Sequence, residues 1–222
     1  MSGEAAATTE ARHYRAARVA VAALLILAVA SVTLITAGAF DPKPYGEMVS
    51  VEQPGRLTQG EAGESFTPLP APSLAPPGRF SIRLTANHEF GEQDSGYGLA
   101  IGGDGRRLVV ALSPLGYVTV REDPSSGKSI THMPWQTWPH VRPGTAANEI
   151  WLDMEQDGDR TEVIVWINRE LLWRGAVDFA PRQTSLYQVS FAAPATVNFS
   201  RVEWFAEPAG LAIPFHPASL FL

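Results

Sequence analysis

Between residues 79 and 207, hydrophobic and polar residues alternate with a period of two. In the first run, Phe80, Ile82 and Leu84 each have polar neighbours on both sides. Because successive side chains of a strand point to opposite faces, this pattern predicts strands with one buried and one solvent-facing side. The pattern recurs at Leu108, Val110 and Leu112, at Val118 and Val120, at Ile150, Leu152 and Met154, at Tyr187, Val189 and Phe191, and at Val197, Phe199, Val202 and Trp204. Residues 163–167 are apolar on both faces, which predicts a central strand.

Turn-forming residues separate these runs. Gly, Pro, Asp and Ser cluster at 102–105, 114–116, 123–127 and 157–159, where antiparallel strands would reverse direction. The alternation also shifts by one residue at Ser200 and Arg201, which predicts a β-bulge. Eight or nine short strands over residues 79–207 indicate an all-β domain, an antiparallel β-sandwich of the jelly-roll type.

A membrane span is predicted near the N-terminus. An uncharged, apolar run of 22 residues begins at Val19 and ends at Phe40. As a helix it would extend about 33 Å, enough to cross the hydrocarbon core of a bilayer. Arg12, Arg15 and Arg18 precede the run, so the positive-inside rule places residues 1–18 in the cytoplasm as a short tail. The chain is therefore predicted to be a single-pass protein of the cell membrane that contacts lipid through residues 19–40, with its C-terminal domain extracytoplasmic.

A cleaved signal peptide is the alternative interpretation of this segment. Ala37-Gly38-Ala39 has the small-x-small pattern of a cleavage site. The apolar run is nevertheless longer than the roughly 7–15 residues usual in a signal peptide, and it follows an unusually long N-terminal region. These features favour a retained anchor.

Two further segments flank the predicted sandwich. Residues 41–78 contain eight Pro and five Gly, a composition that predicts an extended linker, although 47–53 also reads as an edge strand. The tail 208–222 is apolar and almost uncharged, so we expect it to be covered by its own domain or by a partner. The candidate docking residues of this tail are Leu211, Ile213, Phe215, Leu220, Phe221 and Leu222.

Composition and charge exclude several classes of function. The chain has no Cys, which rules out disulfides, thiolate zinc sites, iron–sulfur clusters and thiol nucleophiles. Its formal charge of −6 is the opposite of what a nucleic-acid-binding protein needs, so we expect no nucleic-acid partner. The first 18 residues carry three Arg and two Glu, which leaves −7 for the rest of the chain.

The order of the motifs resembles that of the concanavalin A-like lectin/glucanase superfamily, in particular its laminin-G-like and glycoside-hydrolase-like members. The resemblance covers most of residues 79–207. It rests on the segments 97–102, 148–152, 166–171 and 197–202 and on Trp135 and Trp138. It implies a lectin-like sandwich. Arg169 departs from the pattern, since it stands where the family prefers Gly. A type I′ turn would give Arg169 a positive φ, so we expect a different loop geometry at this hairpin.

The resemblance raises the question of catalysis. Glucanases of this superfamily carry acids at alternate positions of one strand, where the carboxyl groups share a face and bracket a glycosidic bond. Glu149, Asp153 and Glu155 do share one face here, but Trp151 occupies the place of the middle acid. The acids are more simply the solvent-facing side of a strand, and no catalytic residue is predicted.

A metal site also has little support. Asp157-Gly158-Asp159 offers two carboxylates on a tight turn, and the laminin-G-like resemblance implies Ca²⁺ as the candidate ion. Because Ca²⁺ takes about six to eight oxygen ligands, two carboxylates do not complete a site. The sequence therefore predicts no cofactor, with Ca²⁺ at this turn left as the alternative.

The most unusual local composition lies in residues 133–140. Trp135, Trp138 and His140 stand close together there, and exposed aromatic side chains stack on sugars or anchor protein partners. A loop this rich in Pro and Trp often folds against its own domain, so the composition favours aromatic residues that seal the core. If the domain binds a ligand, these three residues are the predicted binding site.

Three functions are compatible with these features. The first is a non-catalytic, lectin-like module that recognises a carbohydrate or a protein partner outside the membrane. The second is an accessory subunit of a larger membrane complex, which would co-purify with its partners at fixed stoichiometry. The third is a glycoside hydrolase, which would lose sugar release in the Glu155→Gln variant.

Overall fold

The computed structural model of the protein describes residues 3–39, 41–70, 78–192 and 194–207, with side chains from residue 17 onward. Within these ranges it contains one helix, α1, and thirteen strands. The elements are α1 Gly3–Thr36, β1 Glu47–Glu52, β2 Gly55–Gln59, β3 Gly63–Pro68, β4 Arg79–Gly91, β5 Ser95–Gly103, β6 Arg106–Leu112, β7 Tyr117–Pro124, β8 Ile130–Thr137, β9 Asn148–Asp157, β10 Arg160–Ile167, β11 Glu170–Val177, β12 Gln183–Ser190 and β13 Ala195–Ala206.

Helix α1 belongs to a separate unit, Met1–Lys43. Its segment Ala17–Thr36 has a mean hydropathy of 2.7, and none of it is buried by other parts of the protein. The hydroxyl groups of Ser31, Thr33 and Thr36 donate hydrogen bonds to carbonyl groups four residues earlier in the helix. Their polarity is thus satisfied within the helix, as a hydrocarbon environment requires. By length and composition the helix fits both a membrane span and a signal sequence.

The strands form two antiparallel sheets. Sheet A has the order β1-β13-β4-β9-β10-β11, and β2 also pairs with β13. Sheet B has the order β3-β12-β5-β6-β7-β8. The two sheets enclose a hydrophobic core, in which the predicted inward-facing residues Ile150, Leu152 and Met154 are all buried. The predicted all-β antiparallel sandwich is confirmed, and β10 is flanked by strands on both sides.

The N-terminal strands lie within residues 41–78, where the composition predicts a linker. β1 and β2 pair with β13 in sheet A, and β3 pairs with β12 in sheet B. Their side chains are largely exposed or half-buried, so these strands lack the regular burial of the other strands. Backbone hydrogen bonds at the sheet edges hold them, and such bonds leave little trace in a hydrophobic pattern.

Two predictions of local geometry have opposite outcomes. The β-bulge in β13 is confirmed, since the pairing with β4 shifts register between Phe199 and Arg201. The prediction for the β10–β11 hairpin is wrong. Asn168 and Arg169 have φ values of 51° and 73°, the positive angles of a type I′ turn.

Hydrogen bonds of the Asn168 side chain explain why this turn forms despite Arg169. Its Oδ1 accepts a hydrogen bond from the Glu149 amide at 2.8 Å. Its Nδ2 donates to the His140 carbonyl at 2.6 Å and to Asn148 Oδ1 at 2.8 Å. These contacts fix the turn through its first residue, and Arg169 follows in the left-handed conformation.

The predicted docking residues of the tail, from Leu211 to Leu222, lie outside the described residues, as does Phe40 at the end of the predicted span.

Candidate functional site

Small side chains form the middle of the outer face of sheet B, the face turned away from sheet A. Gly96, Gly98, Ala100 and Gly102 alternate along β5 on this face. A second hydrophobic cluster, separate from the core, lies on the same face of sheet B and includes Ala100. It consists of Ala100, Val109, Ala111, Tyr187 and Val189, with Phe66 and Trp135 partly buried against it.

Charged side chains meet across the same floor. Arg121 Nη2 on β7 lies 2.7 Å from Glu64 Oε2 on β3 and 3.4 Å from the Tyr187 hydroxyl. Three strands separate β3 from β7, and a flat sheet would hold those two strands about 19 Å apart. Because the two side chains nevertheless touch, the outer face of sheet B must curve into a groove.

Arg121 makes two further contacts in the groove, one with a carboxylate and one with an aromatic ring. Its Nε lies 3.1 Å from Asp123 Oδ2, and its guanidinium lies 5.4 Å from the centre of the Tyr187 ring. Burial raises the pKa of the Tyr187 phenol, and the Arg121 charge opposes this increase. Tyr187 therefore stays neutral and serves as a structural wall of the groove.

An open pocket of about 550 Å³, the aromatic pocket, lies at the Gly96 end of the groove. Phe191 and Tyr117 are exposed there by 55% and 39%, and Trp135 forms part of the wall. Such exposure of large aromatic side chains costs free energy in water, which makes the pocket a candidate ligand site. The lining residues are Asp94, Ser95, Ser113, Leu115, Tyr117, Trp135 and Phe191.

Polar groups stand beside the aromatic rings. The Asp94 side chain is exposed, and no ion pair involves its carboxylate among the described residues. Its backbone is fixed, because the Asp94 amide donates to Glu92 Oε1 at 2.8 Å and the Asp94 carbonyl accepts from the Phe191 amide at 3.1 Å. The pocket therefore presents a hydrogen-bond acceptor at a defined position next to Phe191.

The structure places the three predicted ligand-binding residues in different environments. Trp135 lies in β8 and contributes to the aromatic pocket. Trp138, just after β8, packs partly buried against the core between the sheets. His140 is exposed, with its ring centre 5.7 Å from that of Trp138, and its carbonyl group accepts the hydrogen bond from Asn168. The structure thus brings Trp138 and His140 together, apart from the lining of the aromatic pocket.

No sequence pattern groups Phe191, Tyr117 and Asp94 with Trp135. Phe191 follows the alternation of β12, which indicates a buried residue, yet it lies just beyond the end of the strand. Tyr117 begins β7, and Asp94 precedes β5. Only the order of strands in sheet B brings these positions to one pocket.

The acids weighed as catalytic residues lie on the outer face of sheet A. Asp153 is only 3% exposed, so it differs from the expected solvent-facing residue. Its carboxylate accepts hydrogen bonds from Trp151 Nε1 at 2.7 Å, from Trp166 Nε1 at 2.8 Å and from the Ser81 hydroxyl. Burial raises the pKa of Asp153, and these three hydrogen bonds oppose that increase.

The two neighbouring acids are paired with arginines. Glu155 Oε1 lies 3.0 Å from Arg79 Nη2, and Glu149 Oε2 lies 3.9 Å from Arg83 Nε. In the described part of the chain, no group of three or more His, Asp or Glu side chains is suited to hold a metal ion. This result includes the turn of Asp157 and Asp159.

Comparison of the sequence with protein-family models and with curated proteins gives no match. The structure is similar to a carbohydrate-binding module of Bacillus subtilis, with a TM-score of 0.44, 14% identity and coverage of 71% of this chain and 99% of that one. It is also similar to a galectin of Caenorhabditis elegans, with a TM-score of 0.37, 15% identity and coverage of 64% and 94%. A β-glucanase of Bacillus licheniformis gives a TM-score of 0.42 at 6% identity and covers 67% and 77%.

These similarities concern the fold alone. The two-sheet antiparallel sandwich of this chain is shown by its own strand pairing. Fold does not determine ligand or activity, which must be inferred from the residues of the site.

Proposed function

We propose that this protein is a non-catalytic carbohydrate-binding protein, held at the membrane by α1, that recognises saccharides through the aromatic pocket of sheet B. The observation that carries the proposal is the meeting of Trp135, Tyr117 and Phe191 in one open pocket beside the exposed carboxylate of Asp94.

The chemistry of the pocket suits a sugar ring. A pyranose has apolar C–H faces, which pack against aromatic rings, and hydroxyl groups at its edge, which need hydrogen-bond acceptors. Asp94 supplies a carboxylate acceptor at the pocket wall. Tyr117 adds a phenol group, which both donates and accepts. This combination binds a neutral ring without requiring a charge on the ligand.

The arrangement of carboxylates supports binding rather than hydrolysis. Glycoside hydrolysis generally uses two carboxyl groups on either side of the scissile bond. Asp94 is the single carboxylate that lines the aromatic pocket. Glu149, Asp153 and Glu155 lie on the other sheet, and each already has an arginine, tryptophan or serine partner.

The membrane part of the proposal is supported by α1. The helix has the length and hydropathy of a span, and Arg12, Arg15 and Arg18 precede its apolar segment. Alkaline carbonate should leave the protein in the membrane fraction, and protease added to intact cells should remove the sandwich. A mature protein that lacks residues 1–39 by N-terminal sequencing would show that the helix is a cleaved signal peptide.

Saccharide binding can be tested with the full chain in a detergent that has no sugar headgroup. A panel of immobilised polysaccharides should reveal at least one bound glycan, and the Trp135→Ala variant should bind it at least tenfold more weakly. Trp135→Phe retains an aromatic face and should restore part of the affinity. Thermal unfolding of each variant verifies that the sandwich is folded. Equal binding by wild type and Trp135→Ala would exclude the aromatic pocket as the site.

A further inference from the structure

A second pocket, the arginine pocket, lies at the opposite end of the same groove. Its volume is about 490 Å³, and Phe66, Arg106, Arg107, Arg182 and Gln183 contribute to its lining. Gly96 and Gly102 mark the two pockets on β5 and are six residues apart, which corresponds to about 20 Å along the strand. The two pockets therefore lie on one face of sheet B, separated by about the length of several sugar units.

The arginine pocket has more positively than negatively charged side chains, although the chain as a whole is acidic. Three guanidinium groups line it, against the single carboxylate of Asp104. The chain beyond residue 18 carries a net charge of −7, so a surplus of positive charge in one pocket is a local departure from the average. Such a departure attracts an anionic ligand to this end of the groove.

Arg107 is the most strongly positioned of the three. Its guanidinium lies 4.1 Å from the centre of the Phe66 ring, a cation–π distance. Within the described part of the chain it forms no ion pair. The Phe66 ring therefore holds a positive charge at the pocket wall without neutralising it, and the N–H groups of Arg107 remain free to bind a ligand.

The ion pairs of Arg106 and Arg182 are loose by comparison. Arg106 Nη1 lies 3.5 Å from Glu122 Oε1, and Arg182 Nη2 lies 3.4 Å from Asp104 Oδ1. In the middle of the groove, Arg121 and Glu64 are only 2.7 Å apart. The Arg182 pair is solvent-exposed on both sides, and such ion pairs contribute little to stability, so Arg182 can exchange Asp104 for a ligand at small cost. Arg106 differs, because its partner Glu122 is buried and would lose its counter-charge.

We propose that the arginine pocket binds the carboxylate of an acidic saccharide, such as a uronic acid residue, whose neighbouring units reach toward the aromatic pocket. The planar guanidinium group matches a carboxylate with two parallel hydrogen bonds, which a hydroxyl group cannot reproduce. The proposal rests on the proposed function, because it assigns a substrate class to the same groove.

The test compares acidic polysaccharides with their own neutral forms. Polygalacturonate and alginate are each offered to the full chain in sugar-free detergent, beside the same polymers after reduction of their carboxyl groups. Wild type should bind at least one acidic polymer about tenfold more tightly than its reduced form, and added salt should diminish the difference. Arg107→Met and Arg182→Met should lower affinity for the acidic polymer about tenfold, and so remove its advantage over the reduced form.

Arg174→Met is the matched control. Arg174 is 67% exposed and lies 3.3 Å from Glu162 on sheet A, whereas Arg182 is 68% exposed and lies 3.4 Å from Asp104. Arg174→Met should bind both polymers like wild type. Equal affinity for acidic and reduced polymers, no binding of either acidic polymer, or an equal loss in Arg174→Met would overturn the assignment.

The same titration distinguishes the two proposals by including Phe191→Ala. In one outcome, Phe191→Ala weakens the binding of reduced polymers while the arginine variants behave like wild type. The arginine pocket is then not a carboxylate site, and the assignment of the aromatic pocket is retained. If no polymer binding depends on Phe191, the proposed function fails, whatever the arginine variants show.

Discussion

The indole ring of Trp135 lies directly against Gly96. A Cβ atom placed on Gly96 would stand 2.8 Å from Cη2 of Trp135, too close for van der Waals contact. Gly96 is on β5 and Trp135 is on the edge strand β8, so the indole reaches over the intervening small side chains of the floor. The missing side chain at Gly96 therefore sets the position of the aromatic pocket wall.

Gly96→Ala should displace the indole ring and weaken saccharide binding by about tenfold without unfolding the protein. The aromatic side chain is still present in this variant, so a loss of affinity reports the position of the ring. Gly60→Ala is the control, because nothing lies within 4 Å of its added Cβ and Gly60 lines neither pocket. Tryptophan fluorescence should shift in Gly96→Ala only. Unchanged affinity in Gly96→Ala would show that the position of Trp135 does not matter.

Asp153 should give the protein a distinctive pH dependence. Burial raises its pKa in the folded protein above the ordinary value of 3.8. As pH rises, Asp153 therefore loses its proton at a lower pH in the unfolded chain than in the folded protein. The contribution of Asp153 to the free energy of unfolding is consequently larger below about pH 4 than above its folded pKa. Asp153→Asn cannot titrate, and its amide nitrogen cannot accept the hydrogen bonds that the carboxylate accepts from Trp151, Trp166 and Ser81.

Urea unfolding of wild type and Asp153→Asn at several pH values measures this effect. The free energy of unfolding of wild type minus that of the variant should fall as pH rises from about 4 toward neutrality. The subtraction removes the contributions of the other acids, which both proteins share. A difference that stays constant or grows with pH would show that Asp153 is not a desolvated carboxylate.

The turn at Asn168 and Arg169 predicts two stability changes of opposite sign. Arg169→Gly should raise the free energy of unfolding by about 1 kcal/mol, because glycine adopts a positive φ without the steric cost that a side chain pays. Asn168→Ala should lower it by about 2 kcal/mol, because the amide and carbonyl groups bonded to Asn168 lose their partners. Chemical denaturation measures both changes. Destabilisation by Arg169→Gly would indicate that the arginine side chain contributes more than the strain of its backbone.

The alternation of apolar residues was sufficient to predict the sandwich. Runs such as Ile150, Leu152 and Met154 have a fixed period because one face of their strand packs against the opposite sheet. Residues 47–53 also read as an edge strand, which corresponds to β1, whereas β2 and β3 were not predicted, since edge strands are held by backbone hydrogen bonds that any side chain permits. The type I′ turn was not predicted either, because the hydrogen bonds that stabilise it connect the Asn168 side chain to residues distant in the sequence.

The candidate site was only partly predictable. Trp135 and Trp138 differ by three positions, and an odd separation places side chains on opposite faces of a strand. Because the strand β8 continues to Thr137, Trp135 packs on the outer face of sheet B and Trp138 packs against the core. The remaining wall of the aromatic pocket comes from the start of β7, from the loop before it, and from residues at the ends of β5 and β12. No local pattern specifies that these positions meet, since strand order in a sheet is a property of the whole chain.

Saccharide binding by two matched phenylalanine variants tests the central claim most directly. Phe191 is 55% exposed in the aromatic pocket, and Phe90 is 62% exposed on β4 of the other sheet, so both substitutions remove a similar exposed ring. Isothermal titration of a bound polysaccharide should show about a tenfold loss of affinity in Phe191→Ala and none in Phe90→Ala. Equal affinities in the two variants would contradict the assignment of the aromatic pocket as the carbohydrate-binding site.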